Sequence, residues 1–286
     1  MARYVFLSTP GYGHVNSTIA VVQELVARGE TVIYYLPERF PAAIEATGAT
    51  FRVYQSRFAE AGSFPSGKAI SAMLRGEPPV DSGSRPFPFI SEGRNVIPQV
   101  LDRIRADRPD YIVHGGMNPW AAIIARKLQV SGDSLLPDLA MNEHTRGLFD
   151  FGHRFREMLA DRREELRRLC EEYDVPAMDL GEFFRQAAPL NLVFLPRAFQ
   201  PHAETFDERF VFVGPSILPR SDATGFPLDL LDERPVVYMS LARSSMIVRT
   251  SSIAASRHSR LVPGRSCSRT ASGPIRRRSM RSRRTS

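Results

Sequence analysis

The stretch Tyr4-Val5-Phe6-Leu7-Ser8-Thr9-Pro10-Gly11-Tyr12-Gly13-His14-Val15-Asn16 runs from an apolar segment through a glycine turn to a single histidine. Residues 4–7 read as a short buried strand, because the run is apolar and aromatic and Ser-Thr-Pro-Gly stops it. Val15, Ile19, Val22 and Val26 then recur at helical spacing, with Asn16, Ser17 and Thr18 as polar starting residues. Strand, glycine loop and helix in this order make the first half of a βαβ unit. In open α/β sheets such a loop lies at the carboxyl end of a strand, where ligands bind, and the helix start adds unpaired N–H groups. A dinucleotide fingerprint would place a third glycine three residues after Gly13; Asn16 stands there instead, so the loop does not read as a nucleotide cradle. The small neighbours Gly11 and Gly13 leave an imidazole open to a ligand, which makes His14 the first candidate for chemistry. A histidine at a helix start also serves plain architecture, and spacing alone leaves both readings open.

Outward from this stretch the same alternation continues. Arg28-Gly29 closes the first helix, Thr31 to Leu36 forms a β-branched and aromatic strand, Pro41 to Ala46 a short helix, and Thr50 to Tyr54 a third strand. Such close alternation predicts a parallel sheet with helices on both faces, a Rossmann-like α/β fold. Residues 56–90 lose periodicity and gather Ser, Gly, Pro and Phe, as a functional insertion or binding wall would. Ile97, Val100, Leu101 and Ile104 mark a helix, Tyr111-Ile112-Val113 a fourth strand, and Trp120, Ile124 and Leu128 the apolar face of the next helix. Ser131 to Pro137 returns to the sheet before the polar loop Asn142-Glu143-His144. Residues 151–173 read as a long charged helix with Phe155, Leu159, Leu166 and Leu169 as core contacts and a solvated face of i,i+4 pairs. Asn191 to Leu195 and Phe210 to Val213 are late strands. Pro235 to Leu241 begins a further strand that nothing after it continues.

Charge separates the chain into two parts. The protein has 286 residues and a formal net charge of +7, but residues 242–286 hold 12 arginines and no acid. Residues 1–241 carry 26 basic and 31 acidic side chains, a net of −5. The body is therefore an ordinary, slightly acidic globular sequence, and its balance does not call for nucleic acid. Two cysteines, Cys170 and Cys267, cannot build a disulfide framework, and no Cys/His cluster has zinc spacing. No apolar run reaches membrane-spanning length and no basic leader opens the chain, so a cytoplasmic protein without a membrane partner is expected.

Several motifs, in order and spacing, resemble the family 1 glycosyltransferases of GT-B fold, and among them the macrolide glycosyltransferases. They are Pro10-Gly11-Tyr12-Gly13-His14-Val15-Asn16, Arg108-Pro109-Asp110, Met117-Asn118-Pro119-Trp120, Ala140-Met141-Asn142-Glu143, Phe212-Val213-Gly214-Pro215 and Pro235 to Leu241. The resemblance covers residues 1–241. It implies an acceptor-binding Rossmann-like domain over 1–217, an interdomain linker over 218–234, and at 235–241 the first strand of a donor domain. It further implies a UDP-sugar co-substrate rather than a cofactor, no metal, a small hydrophobic acceptor, and His14 as the general base that takes the acceptor hydroxyl's proton. Tyr12, Gly13, Met117, Trp120, Asn142 and Glu143 are the acceptor-side candidates it implies. Where the family commonly carries an aspartate that orients the histidine, this chain has Gly115. A glycine cannot hold an imidazole or stabilise its protonated form. Asp110 precedes the strand and lies at its far end, and His114 points away from residue 115 if the strand persists.

The family's donor signature has no counterpart after Leu241, so a chain with little or no transferase turnover is expected. Residues 242–286 hold 12 serines beside the 12 arginines and show neither helical nor strand period, which predicts a disordered basic tail. Such a tail can bind nucleic acid as a polycation. The favoured alternative is a lost base after the Leu241 codon, because the other frame permits Ser-Leu-Gly-Thr-Val-Phe-Asn-Asp, similar to the family's donor-side loop, and the written frame has no packing logic. Nucleic acid is accordingly not the expected partner, and a UDP-sugar is one only if the donor domain is restored. Sequencing the gene across the codons for Tyr238 to Arg249 is expected to show one missing base, with the other frame running on into a donor domain. A confirmed frame without that continuation would make the basic tail a true part of the protein.

Overall fold

The computed structural model describes residues 1–57, 88–116, 118–145, 152–178 and 188–218, with side chains left out at 88–89 and 152–161. The chain divides into two units, Met1–Asp222 and Ala223–Ser286, and every described residue lies in the first. Seven strands alternate with helices: β1 (Arg3–Leu7), α1 (Tyr12–Ala27), β2 (Thr31–Leu36), α2 (Pro41–Glu45), β3 (Thr50–Val53), α3 (Pro88–Asp107), β4 (Tyr111–Gly115), α4 (Pro119–Leu128), β5 (Ser131–Leu136), α5 (Gly152–Glu172), β6 (Asn191–Val193) and β7 (Phe210–Phe212). They form one sheet in the order β3-β2-β1-β4-β5-β6-β7, parallel at every pairing. This is the Rossmann-like fold with helices on both faces that the alternation predicts.

Strand periodicity explains the two faces. Val5 and Leu7 of β1, Tyr35 of β2 and Ile112 of β4 pack with Val96, Ile97, Val100 and Ile104 of α3, Trp120 and Ile124 of α4, and Leu166 and Leu169 of α5. Phe6, Tyr34 and Val113, one residue out of step, pack with Val15 and Val22 of α1 and Ile44 of α2. A strand buried on both sides reads as a continuous apolar run, which is why residues 4–7 and 31–36 stand out in the sequence. Gly93 lets α3 sit close. A Cβ there would come within 2.7 Å of Leu169 Cδ2 and 3.0 Å of Trp120 Cβ. Gly29, at φ +82°, turns the chain out of α1 in a backbone region that few side chains accept.

The helix α5 tests what holds a charged helix in place. Glu164 accepts from both Arg167 and Arg168, at 2.8 and 2.7 Å, and Arg167 also pairs with Glu171. Exposed pairs of this kind gain little, because water screens them and two long side chains must be held in one geometry, whereas burying a leucine contributes about 1.5–3 kcal/mol. The fully buried Leu166 and Leu169 therefore anchor the helix, and the ion pairs dress its outer face. Phe155 and Leu159 lie outside the described side chains.

Three observed elements are longer than the sequence predicts. The helix α1 begins at Tyr12 on an extended Gly11, α3 begins at Pro88 within the stretch expected to be irregular, and β4 persists through His114 to Gly115. Residues 58–87, which hold most of that irregular stretch, and 218–241 beyond Leu218 lie outside the described residues.

At the end of α3, Asp107 ties three elements together. Its carboxylate accepts from Tyr35 Oη at 2.6 Å and from Arg52 Nη2 at 2.7 Å, and its carbonyl accepts from the Arg3 guanidinium. The Asp107 side chain is 9% exposed, so both charge-assisted bonds are partly shielded from water. Burial and this carboxylate push the Tyr35 hydroxyl well above its ordinary pKa. Asp107→Ala is expected to destabilise the domain by about 2 kcal/mol and Tyr35→Phe by about 1 kcal/mol, read as lowered midpoints in urea unfolding at unchanged slope.

Candidate functional site

The strand order reverses at β1 and β4. The chain runs β1-β2-β3 to one side and β4 through β7 to the other, with the first two helices and the next on opposite faces. In such sheets the loops leaving the carboxyl ends of the two central strands part and leave a crevice. The register pairs Leu7 with His114 and His114 with Ser134, so the loops after β1, β4 and β5 leave from one edge.

The loop after β1 delivers the histidine. Ser8 and Thr9 are buried at the strand's end. Gly11 N–H donates to Thr9 O at 2.7 Å, and Val15 N–H to Gly11 O at 2.9 Å, which opens α1 immediately. No side chain caps the helix. His14 is partly buried in the first turn, and its carbonyl accepts from Ser17 Oγ at 2.7 Å. One turn on, the Thr18 hydroxyl donates to Val15 O and meets Tyr34 Oη at 2.8 Å, which fixes α1 over β2. Tyr12 is half exposed, edge-on to Phe40 at 5.2 Å, with the Arg39 guanidinium 6.0 Å from its ring. A Cβ at Gly13 would meet nothing within 4 Å, so that glycine leaves open space beside His14.

The loop after β4 braces the loop after β1. Thr9 Oγ1 donates to Asn118 Oδ1 at 3.2 Å, Asn118 Nδ2 donates to Leu7 O at 2.9 Å, and Asn118 N–H donates to Gly115 O at 3.1 Å. Asn118 is 2% exposed. Gly115 faces Thr9 on the α1 side of the sheet: a Cβ there would stand 3.1 Å from Thr9 Oγ1 and 3.4 Å from Thr9 N. A side chain at 115 therefore requires Thr9 to give way by a few tenths of an ångström. His114 faces the other side, as strand alternation expects, and its Nδ1 donates to Gly115 O at 3.2 Å. With the buried Ser134, Ala125 and Met178 it lines a cavity of about 290 Å³ beneath α4. Asp110 bonds the backbone N–H of Arg3 at 2.7 Å, at the opposite end of the sheet from His14.

Electrostatics at the crevice favour a neutral imidazole. Burial lowers the His14 pKa from its ordinary 6.5, and the Asp138 carboxylate, on the turn after β5, opposes that shift. The positive end of α1 acts in the same direction as burial. His114 is lowered too, chiefly by burial, against its bond to the Gly115 carbonyl.

Tyr12, Gly13 and His14 stand together in the first turn of α1, at the carboxyl edge of β1. Trp120 is not with them: it is 2% exposed, edge-on to Tyr54 at 5.9 Å, in the core on the other face of the sheet. That ring gives a ligand beside His14 no surface. Asn142 spends its amide on the fold, donating to Thr205 Oγ1 at 2.7 Å and accepting from the backbone N–H groups of His144 and Thr145. Glu143 is exposed, 3.9 Å from His144. Met117 lies outside the described residues. Sequence reasoning missed Thr9, Asn118 and Asp138. Asn118 before Pro119 carries the signal of a helix cap, yet its side chain bonds across the sheet instead. Among the described residues no three His, Cys, Asp or Glu side chains are grouped to hold a metal, and no helix is long and apolar enough to cross a membrane.

No family model matches the chain. Its sequence is 34% identical over 233 residues, 81% of this chain and 56% of the relative, to an NDP-glycosyltransferase (YjiC) of Bacillus licheniformis. It is 27% identical over 238 residues, 79% of this chain and 51% of the relative, to the oleandomycin glycosyltransferase of Streptomyces antibioticus. A crystal structure of the calicheamicin glycosyltransferase superposes with a TM-score of 0.58 at 25% identity, covering 75% of this chain and 53% of the other. The chain spans about half the length of the curated relatives it matches.

Because both His14 and His114 have lowered pKa values, the unfolded chain binds protons more readily than the folded one just below pH 6.5. Their stabilising contribution is present above that pH and lost as pH falls through the window. The melting temperature is expected to drop from pH 7 to pH 5. His114→Gln should flatten the drop, which thermal unfolding in a buffer series checks.

Proposed function

Over about four-fifths of its length the chain belongs to the family 1 glycosyltransferases of GT-B fold, and from that premise we propose that the described domain is the acceptor half of a nucleotide-sugar-dependent enzyme. The acceptor is a hydroxyl of a hydrophobic natural product such as a macrolide. The observation that carries this reading is the place of His14: it stands in the first turn of α1, at the carboxyl edge of the sheet beside the β1/β4 switch point, with its pKa lowered by burial. A base with a lowered pKa is neutral, and able to take a proton, throughout the physiological range.

In the proposed reaction the acceptor hydroxyl lies over Gly13, where no side chain intrudes, within reach of His14. The imidazole accepts the hydroxyl proton as the oxygen attacks the anomeric carbon of the sugar. The bond from that carbon to the nucleoside diphosphate breaks, the diphosphate leaves with the electron pair, and the anomeric configuration inverts. Positioned base catalysis contributes roughly 10²- to 10⁴-fold. Gly115 supplies no carboxylate to hold the imidazole, which favours a second reading, an acceptor-binding module without chemistry.

The donor falls to residues outside the described domain, and residues 242–286 contain nothing similar to the family's donor signature. The 286-residue chain is therefore expected to bind a macrolide aglycone in isothermal titration calorimetry and to transfer no sugar from UDP-glucose. Robust UDP-glucose-dependent product would overturn the missing donor site; no aglycone binding would overturn the acceptor reading.

A further inference from the structure

We propose that the cavity beneath α4 is a second binding site, which takes a small neutral aryl alcohol by its hydroxyl. It lies on the face of the sheet that His114 looks onto, away from the α1 face, so the inference does not rest on the reading of His14. Three observations carry it. First, the space is written into β5. A strand covered on both faces is ordinarily apolar throughout, as β1 is with Val5 and Leu7 on this side. The strand β5 is paired on both edges, yet it turns Gly132 and Ser134 to this side, and α4 meets them with Ala122 and Ala125. Small residues on both walls leave about 290 Å³, with Val130 and Met178 also lining it. A dry cavity of about 150 Å³ suffices for benzene, so this one has room for a two-ring molecule.

Second, the Ser134 hydroxyl is buried without a partner. The residue is 2% exposed, and its Oγ makes no hydrogen bond among the described residues. Buried polar groups are ordinarily hydrogen-bonded, so a polar group entering the cavity meets an unsatisfied one. Third, His114 stands beside it with an acceptor fixed by its tautomer. Ser134 and His114 are direct partners across the parallel pair, on strands about 4.8 Å apart, so both side chains project to the same face. His114 Nδ1 donates to Gly115 O at 3.2 Å, which puts the lone pair of the neutral ring on Nε2. A Cβ at Gly132 would stand 3.6 Å from Nε2, so the glycine keeps that approach to the ring bare. The two groups together suit a hydroxyl: an aryl O–H donates to His114 Nε2, its oxygen accepts from the Ser134 hydroxyl, and the rings lie among the apolar side chains. Burial, which lowers the His114 pKa, keeps that acceptor available at neutral pH.

Isothermal titration calorimetry of the 286-residue chain with 2-naphthol and with its methyl ether tests this without a macrolide or any sugar transfer, so its failure is distinct from failure of the transferase reading. One molecule of 2-naphthol is expected to bind per chain, and the ether, which has no proton to donate to Nε2, to bind about tenfold more weakly. Ser134→Ala should weaken 2-naphthol binding by about threefold to tenfold. Ala122→Leu, which fills the space from α4, should abolish it, and the melting temperature of each variant separates lost binding from lost folding. No binding of 2-naphthol to the unmodified protein, equal binding of the ether, or unchanged binding in the folded Ser134→Ala and Ala122→Leu proteins would overturn the proposal.

Discussion

The seam between β1 and β4 is the constraint on which the rest depends. Here two strands whose connections run to opposite faces must lie side by side, and the chain closes their ends with Asn118, which donates to Leu7 O and accepts from Thr9 Oγ1. Both bonds are buried, and a buried polar group left without its partner costs about 1–3 kcal/mol. The bracing sets where the loop after β1 turns, and that turn sets where α1 begins and where His14 stands. Gly115 belongs to the same seam. Its lack of a side chain lets Thr9 sit where Asn118 can reach it, so the absence of an acid there and the close packing of the loops are one structural fact.

The chemistry of the crevice follows from what surrounds the imidazole. Burial and a helix amino end both disfavour the charged ring, and a carboxylate two strands away partly offsets them. The domain thus presents a neutral base at the edge where open α/β sheets bind ligands. It does so on rigid elements: α1 is pinned through Thr18 to Tyr34, whose hydroxyl is pushed up to about 12 by burial against the bonds it makes with Thr18 and Ser8.

The elements were legible where one physical signal dominated. Strands buried on both faces leave unbroken apolar runs, so β1 and β2 are plain in the sequence. The first turn of α1 is not, because Gly-Tyr-Gly has poor helix propensity and the turn is held by its neighbours. The start of α3 was hidden for a similar reason, since a segment with Pro88 and Pro98 shows no clean period until it packs. The place of His14 beside a helix start was readable from its loop. Trp120 was misplaced because a motif names a residue without naming the face it turns to. Asp138 was invisible because its relation to His14 spans more than a hundred residues and exists only once β5 is in the sheet.

The register of β1 also bears on how the protein is made. Its first partner, β2, follows within about thirty residues, but its second, β4, pairs Tyr4 with Tyr111. A chain leaving the ribosome therefore carries one open, apolar strand edge until more than a hundred residues have emerged, several seconds or more at ordinary elongation rates. Once Phe212 is out, all seven strands exist and the sheet can close. All seven strands lie between Arg3 and Phe212, so the sheet needs no strand from beyond that point.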